Sequence, residues 1–250
     1  MNLIFVRHGQ SIWNLENKFT GWVDVELSER GVREAEDAAI TLLSHNFIPE
    51  ICFTSFLKRS KSTAEIILNK MKKDVDFNIK TTDIWQLNER HYGALQGLDK
   101  IETAKQYGDG KVQLWRRSYD VFPPLAKKDS HFDPKTEKKY ENIKEELPLG
   151  ESLEKVVERV DSTFTNILDL VKTKRVLVVA HGNSIRAMVK MLDNLSNSEI
   201  VNVNIPTGIP LAYKISENEN ERIGYLGDPD KINHLQKEVE LQSKVKEDKG

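Results

Sequence analysis

Short apolar runs alternate along the chain with segments in which apolar residues recur at helical spacing. The first run is Leu3–Val6, and a later one is Arg175–Ala180, in which every residue after the arginine is apolar. Runs of this length with many β-branched members are typical of strands that are buried on both faces of a sheet. The same pattern predicts further strands at Ile51–Thr54, Ile79–Asp83, Leu211–Ile215 and Arg222–Leu226.

Between these strands, apolar residues at a period near 3.6 predict amphipathic helices. One covers about Gly31–Ser44, and a second, capped by the hydroxyl group of Ser55, reaches Met71. A third covers Ser152–Val171, and a fourth begins just after Gly182. Alternating strands and helices are typical of an α/β domain with a mainly parallel sheet. In the first helix, the residues expected to face the core are Val32, Ala35, Ala39, Leu42 and Leu43.

Two segments depart from this alternation. Residues 122–150 are rich in proline, lysine and glutamate, which predicts an irregular surface insertion or lid. Residues 231–250 are polar, rich in lysine and glutamate, and only weakly amphipathic, so we expect a mobile C-terminal tail. Residues 1–230 are then expected to form one domain that carries the insertion.

Composition and charge narrow the possible partners. The 250 residues carry a net charge of −2, so no overall basic field argues for nucleic acid. No apolar run is as long as a membrane span, and Arg7 interrupts the apolar start too early for a signal peptide. The single cysteine, Cys52, excludes an internal disulfide framework and fits a reducing compartment. We therefore expect a cytoplasmic protein that binds neither membrane nor nucleic acid.

Two of the predicted strands end in a histidine–glycine pair. One continues into Arg-His-Gly (Arg7–Gly9), and the other into His-Gly-Asn (His181–Asn183). Ligands of α/β proteins bind at the carboxyl ends of parallel strands. Arginine offers a fork of donors to an oxyanion, and a neutral histidine offers a ring nitrogen that can attack phosphorus. Because a helix begins just after Gly182, its free N–H groups would add a phosphate-binding position.

These motifs resemble those of a known group of enzymes. Arg-His-Gly near the start and Ala-His-Gly-Asn later in the chain are similar to the histidine phosphatase superfamily. Further segments resemble the 2,3-bisphosphoglycerate-dependent phosphoglycerate mutases, and this resemblance extends to about Asp228. The segments are FTGWVDVELSERG (Phe19–Gly31), SFLKRS (Ser55–Ser60), LNERHYGALQGLDK (Leu87–Lys100), LWRRSYD (Leu114–Asp120), HGNSIR (His181–Arg186) and NIPTGIPL (Asn204–Leu211).

The resemblance implies a fold and an activity. The fold would be a three-layer α/β/α domain whose sheet has about six strands, one of them antiparallel at the edge. The activity would be the interconversion of 3-phosphoglycerate and 2-phosphoglycerate, a step of glycolysis and gluconeogenesis. The enzyme would be primed by 2,3-bisphosphoglycerate, would need no metal, and would have small phosphoglycerates as its binding partners. A homodimer or homotetramer is also expected.

The resemblance also assigns roles to residues. His8 would be the phosphorylated nucleophile, and Arg7, Arg59 and His181 would stabilise the charge of the transferring phosphoryl group. Glu89 lies in an unusual charged cluster and would exchange a proton with the substrate hydroxyl. The residues implied to hold the substrate are Ser11, Asn14, Thr20, Gly21, Arg90, Tyr92, Lys100, Arg116, Arg117, Gly182 and Asn183.

One departure and two alternatives qualify this interpretation. Gln10 stands where many family members have glutamate, so any role of that carboxylate is absent or taken by an amide. The nearest alternative is a histidine phosphatase that uses the same His8 chemistry but passes the phosphoryl group to water. The other is a non-catalytic phosphate-binding protein. Such a protein would be expected to have lost His8 or Glu89, and both are present.

Overall fold

A six-stranded sheet forms the centre of the computed structural model, which describes residues 1–79 and 81–241. In chain order its strands are β1 (Leu3–Arg7), β2 (Ile51–Thr54), β3 (Thr81–Asp83), β4 (Val176–Ala180), β5 (Pro210–Ile215) and β6 (Asn220–Tyr225). Across the sheet they follow the order β3-β2-β4-β1-β5-β6. The central strands β1 and β4 are buried along their whole length, as strands covered on both faces should be.

Most of the strands run in the same direction. β1 pairs parallel with β4, β4 with β2, and β2 with β3, which confirms the predicted mainly parallel sheet. The position of the antiparallel strand was predicted wrongly. β5 is antiparallel to both β1 and β6, so it lies one place in from the edge. β6 follows β5 after a turn of only a few residues, and such a hairpin must add an antiparallel neighbour outside β5.

Helices cover both faces of the sheet, and the described ones are α1 (Ile12–Leu15), α2 (Glu29–Ser44), α3 (Lys58–Met71), α4 (Lys100–Tyr107), α5 (Asp109–Arg117), α6 (Leu153–Val171), α7 (Gly182–Leu192) and α8 (Pro229–Leu241). Along β1, Leu3 and Phe5 face a core that contains α6 and α7. Ile4 and Val6 point to the opposite side, against α2 and α3. The three-layer α/β/α architecture is therefore confirmed. Among the described helices, none combines the length and apolarity needed to cross a bilayer.

The starts of α2 and α3 differ from the prediction. α2 begins at Glu29 because Ser28 caps it, its hydroxyl accepting from Gly31 N. Val32 therefore lies in the first turn and is 39% exposed, so its predicted burial is wrong. The predicted cap of the next helix is also wrong, since α3 begins at Lys58 with Leu57 in the cap position. Ser55 is instead buried against the second histidine motif, as described below.

Residues 122–150 contain no strand and no α-helix, in keeping with the predicted irregular segment. Two short 3₁₀ turns are its regular parts, at Pro134–Thr136 and Lys138–Tyr140. Tyr140 is buried within this segment and stacks on Trp22, with ring centroids 5.3 Å apart. Its hydroxyl accepts from the side chain of Asn88. The segment is thus anchored to the body of the domain by an aromatic cluster.

Residues 231–241 form most of helix α8, so the boundary predicted between residues 230 and 231 lies inside a helix. Ile232 and Leu235 are buried against Ile209. Glu238, which is also on α8, forms an ion pair of 2.6 Å with Arg30 of α2. These contacts are few and widely spaced, which is why the sequence pattern looked only weakly amphipathic. The mobility of the tail stays a prediction, and its residues 242–250 lie outside the described residues.

The core between α6 and the sheet allows a test of the fold. Phe164 is 1% exposed and its ring centroid lies 6.1 Å from that of Phe5 on β1. Replacing Phe164 with Ala should lower the free energy of unfolding by about 3–5 kcal/mol, through lost burial and a cavity. Urea denaturation measures the change. The matched control is Thr165→Ala, an exposed neighbour whose loss should change stability by about 0.5 kcal/mol or less. Equal effects of the two substitutions would contradict the described packing.

Candidate active site

Parallel pairing of β1 with β4 brings the two histidine motifs together. Arg7 is in register with Ala180, so the residues that follow them leave the sheet side by side. The backbone N–H of His8 donates to the Ala180 carbonyl at 3.0 Å. The rings of His8 and His181 are both buried, and their centroids lie 4.9 Å apart. The predicted pair of strand-end histidines is thus one site at the carboxyl edge of the sheet.

The hydrogen bonds of His8 define which ring nitrogen is free to react. Its Nδ1 lies 2.7 Å from the Gly9 carbonyl, which can only accept, so Nδ1 carries the proton. The Nε2 atom then keeps a lone pair, to which Arg59 Nε donates at 3.2 Å. Burial, followed by the charges of Arg59 and Arg7, lowers the pKa of His8 well below its ordinary value. His8 is therefore a neutral imidazole whose Nε2 carries the lone pair.

Arg59 is held beside His8 by backbone carbonyls rather than by a carboxylate. Its Nη2 donates to Gly21 O at 2.8 Å, and its Nη1 donates to Val23 O at 3.0 Å. Burial lowers the pKa of Arg59 to about 10, a value that keeps the guanidinium charged at neutral pH. Gly21 has φ +55° and its Cβ would lie 2.0 Å from Gln96 Oε1, so this loop requires glycine.

His181 lies behind His8 and does not line the cleft itself. Its Nε2 is 2.6 Å from the hydroxyl oxygen of Ser55. Burial, with smaller effects of Arg59, His8 and Arg7, lowers the pKa of His181 well below its ordinary value. His181 is therefore neutral, and it stands next to the first free amides of helix α7.

Glu89 is the only carboxylate among the described residues that line the cleft. One of its oxygens, Oε1, accepts from Arg90 N at 2.7 Å and from Asn183 N at 3.1 Å. The second of these donors belongs to the first turn of α7, whose positive dipole end favours a carboxylate. The acidic side chain is thus fixed at the mouth of the histidine pair.

The cleft above these residues has an empty volume of about 680 Å³, including its open mouth. Cations dominate its lining. Burial, followed by repulsion from Arg116 and Arg7, lowers the pKa of Lys100 well below its ordinary value. Crowded, desolvated cations favour an anionic ligand, because its negative charge would offset both the repulsion between the cations and their desolvation. The basic residues that line the cleft are Arg7, Lys18, Arg59, Lys100, Arg116, Arg117 and Arg186.

Several buried donors of the cleft have no hydrogen-bond partner among the described residues. They include Arg7 Nε, Thr20 Oγ1 and Arg116 Nη1. Buried polar atoms are nearly always satisfied in proteins, so unsatisfied donors on residues that line a cleft are typical of an anion-binding site. The donor set therefore fits a ligand with several phosphate or carboxylate groups. The described residues contain no group of three or more His, Cys, Asp or Glu that could hold a metal ion.

The structure brings most of the predicted residues to this cleft. His181, which lies behind His8, and Ser11 and Arg90 are exceptions. Ser11 is buried at the start of α1, where its hydroxyl accepts from Asn14 N at 3.2 Å. Arg90 donates to the carbonyls of Glu151 and Val121, because adjacent residues of an extended loop point in opposite directions. The predicted residues that line the cleft are Arg7, His8, Asn14, Thr20, Gly21, Arg59, Glu89, Tyr92, Lys100, Arg116, Arg117, Gly182 and Asn183.

Sequence reasoning missed Arg186, which also lines the cleft. Its Nη1 donates to Asn183 Oδ1 at 2.9 Å, one helical turn away. Since arginine can only donate, this contact orients the amide so that Nδ2 lies toward the Tyr92 hydroxyl, 3.3 Å away. Arg186 belongs to the HGNSIR segment, and its spacing of three residues from Asn183 was the available signal.

Contributions from the end of the chain were also missed. Asn204 Oδ1 accepts from Arg117 Nη1 at 2.7 Å. The carbonyl of Val239 in α8 accepts from Arg117 Nη2 at 3.2 Å. These contacts join residues far apart in the sequence, so no local pattern could indicate them. The full set of missed lining residues is Lys18, Phe19, Arg186, Val203, Asn204, Ile205 and Val239.

Fold and site together define the class of protein. Residues 3–221 match the family model of the histidine phosphatase superfamily, branch 1. A curated relative from Lachnoclostridium phytofermentans is 46% identical over 98% of this chain and 99% of its own length. One from Treponema denticola is 46% identical over 98% of this chain and 100% of its own length. Both are named 2,3-bisphosphoglycerate-dependent phosphoglycerate mutase. The chain belongs to this superfamily and, within it, to the phosphoglycerate mutase family.

Solved structures with much lower identity share the fold. A mycobacterial glucosyl-3-phosphoglycerate phosphatase superposes with a TM-score of 0.68 at 21% identity, over 90% of this chain and 99% of the other. An alpha-ribazole phosphatase from Shigella flexneri superposes with a TM-score of 0.66 at 18% identity, over 91% and 96%. At such identities the likeness concerns the fold alone.

The protonation state of His8 can be measured directly. From about pH 6.5 to about pH 8, ¹⁵N NMR should show His8 neutral, with the proton on Nδ1 and none on Nε2. As the pH falls below 6.5, His8 is protonated in the unfolded chain but stays neutral in the folded one. His8 should therefore lower the free energy of unfolding at acidic pH. A His8→Gln variant assigns the signals and should lose this contribution. A proton on Nε2, or a charged ring in that range, would contradict the described geometry.

Proposed function

We propose that this chain is a 2,3-bisphosphoglycerate-dependent phosphoglycerate mutase, which interconverts 3-phosphoglycerate and 2-phosphoglycerate through a phosphohistidine. The main observation behind the proposal is the neutral His8, whose Nε2 keeps its lone pair and accepts only from Arg59 among the described residues. It lies in a cleft whose described lining contains several cations and one carboxylate. The curated relatives of this name match nearly the whole chain, which supports the same assignment.

His8 accepts the phosphoryl group at Nε2. A bond from Nε2 to phosphorus forms while the bond from phosphorus to an oxygen of the bisphosphoglycerate breaks, which leaves a monophosphoglycerate in the cleft. The hydrogen bond from Nδ1 to Gly9 O holds the ring in place and supports the positive charge that forms on the imidazole. When a phosphoglycerate hydroxyl attacks the phosphohistidine, the bond from its oxygen to phosphorus forms and the bond from Nε2 to phosphorus breaks.

Arginines stabilise the charge that spreads over the oxygens of the transferring group. Arg59 contacts Nε2 in the described state and is placed to turn its donors to those oxygens. Arg7 is anchored through Nη1 to Ile205 O at 2.8 Å, and its Nε has no partner among the described residues. The Nδ2 of Asn183 adds a further donor, and the positive end of the α7 dipole adds to the stabilisation.

Glu89 supplies and removes the proton of the substrate hydroxyl. Protonated Glu89 gives its proton to the oxygen that leaves phosphorus, and ionised Glu89 takes the proton when a hydroxyl attacks. Its Oε1 is occupied by two backbone amides, which leaves Oε2 for this exchange.

A second set of cations holds the remaining charges of the substrate. Lys100, Arg116 and Arg117 lie on or beside α4 and α5 and would bind the carboxylate and the phosphate that is not transferred. Thr20 and Arg116 keep buried donors without a partner among the described residues, so they fit a highly charged bisphosphate. 2,3-Bisphosphoglycerate would provide the initial phosphoryl group. Its use as priming donor, a homodimeric or homotetrameric state and a cytoplasmic location all belong to this proposal.

A phosphatase that hydrolyses small phosphate esters would use the same His8 and differ only in its acceptor. Replacing His8 with Ala should abolish both acid-labile labelling by ³²P-bisphosphoglycerate and mutase activity. His45→Asn is the matched control, since His45 is exposed at the end of α2, and should leave both intact. Labelled His8→Ala protein would overturn the nucleophile. Label that passes from the wild-type enzyme to water even when phosphoglycerate is in excess would favour the phosphatase.

A further inference from the structure

A buried ion pair lies directly behind the loop that carries Glu89. Arg159 of helix α6 donates from Nε to Glu151 Oε1 at 2.7 Å and from Nη2 to Glu151 Oε2 at 3.0 Å. The two side chains are 6% and 3% exposed. Neither residue lines the cleft and neither was assigned a role above.

The Arg159 guanidinium also donates hydrogen bonds to the backbone of the Glu89 loop. Its Nη1 donates to Gln86 O at 2.6 Å and to Asn88 O at 3.2 Å. Its Nη2 donates to the carbonyl of Glu89 itself at 3.3 Å. The indole N–H of Trp22 donates to the same Glu89 carbonyl. One planar cation therefore binds three backbone carbonyls within four residues of the loop.

Glu151 holds the other end of the loop. Its Oε2 accepts from His91 N at 2.8 Å, and its backbone N donates to His91 O at 2.9 Å. Its carbonyl accepts from Arg90 Nε at 2.6 Å. The residues on both sides of Glu89 are therefore tied to the ion pair.

We propose that Arg159 and Glu151 are positioning residues that hold the Glu89 carboxylate where it exchanges the substrate proton. This inference rests on the proposed function, which gives Glu89 that role. Only arginine offers a rigid fork that binds a carboxylate with two donors while its other N–H groups reach backbone carbonyls. A lysine could keep the charge pair but not the set of carbonyl contacts. The pair acts through Glu89 and does not touch the substrate.

A pair that only stabilised the fold would behave differently. Breaking a buried ion pair lowers stability, but a folded enzyme would then keep its turnover number. A positioning pair changes turnover, because a small displacement of a reacting group costs up to about a hundredfold in rate. Substrate binding depends on the cations of the cleft and should change little.

The first experiment compares the Arg159→Lys variant with the wild type by mutase kinetics and thermal melting. We expect kcat to fall by at least about tenfold while KM for 3-phosphoglycerate changes by about twofold or less. Lys155→Met, an exposed position one turn earlier on α6, is the matched control and should behave as wild type. Val160→Ala, a buried neighbour, should lower the melting temperature but leave kcat unchanged. If Arg159→Lys does not fold, Glu151→Gln takes its place, because the amide still accepts from His91 N.

The decisive step repeats the substitution in a Glu89→Ala background. If the pair acts through Glu89, Arg159→Lys should not reduce the residual rate any further. An equal tenfold loss in both backgrounds, or unchanged kcat in the single variant, would overturn the inference. A wild-type enzyme without mutase activity would instead overturn the proposed function, so the two failures are distinguishable.

Discussion

The parallel pairing of β1 with β4 is the constraint on which the site depends. It sets Arg7 in register with Ala180, so that His8 and His181 leave the sheet as neighbours. Burial of both strands on both faces makes this register costly to change, since a shift by one residue would turn every side chain to the other face. Gly9 lets the backbone of Gly31 come so close that an added Cβ would lie 2.1 Å from its carbonyl oxygen.

The site combines a neutral nucleophile with a surplus of buried positive charge. Burial and the neighbouring guanidinium groups hold the pKa of His8 low, so its Nε2 lone pair is available without a general base. In the part of the chain that the structure describes, the same guanidinium groups have no carboxylate partner in the cleft and are held by backbone carbonyls. Carbonyls orient a cation without neutralising it, so the charge remains for the phosphoryl group. Glu89 is the one acid among the described lining residues, and its loop is tied to a separate ion pair behind the cleft.

How much of this could be predicted from sequence depended on the range of each interaction. Apolar runs that end in His-Gly predicted the two histidines, because parallel strands end at a common edge. Arg59 came only from the family resemblance, since an arginine on a helix is ordinarily a surface charge and nothing local reveals the carbonyls of Gly21 and Val23. The role of Arg159 could not be predicted for the same reason. The helical period of α6 identifies its apolar face but not the role of a charged residue at the edge of that face.

The differences between the sequence predictions and the structure have physical causes of the same kind. Arg90 was grouped with Glu89 by proximity in the sequence, although neighbours in an extended loop point apart. Ser55 was predicted to cap a helix because it follows a strand, but its hydroxyl contacts the ring of His181 instead. Helix α8 docks through a few apolar residues and ion pairs with distant partners, which no periodic pattern shows.

The central claim is that a phosphohistidine enzyme of this family transfers its phosphoryl group to phosphoglycerate. The most direct measurement follows 3-phosphoglycerate by ³¹P NMR, in chelator, with a catalytic amount of 2,3-bisphosphoglycerate added or withheld. The account predicts conversion to 2-phosphoglycerate when bisphosphoglycerate is added, and much slower conversion by dephosphorylated enzyme when it is withheld. Release of inorganic phosphate as the main product, or equal rates with and without bisphosphoglycerate, would contradict it.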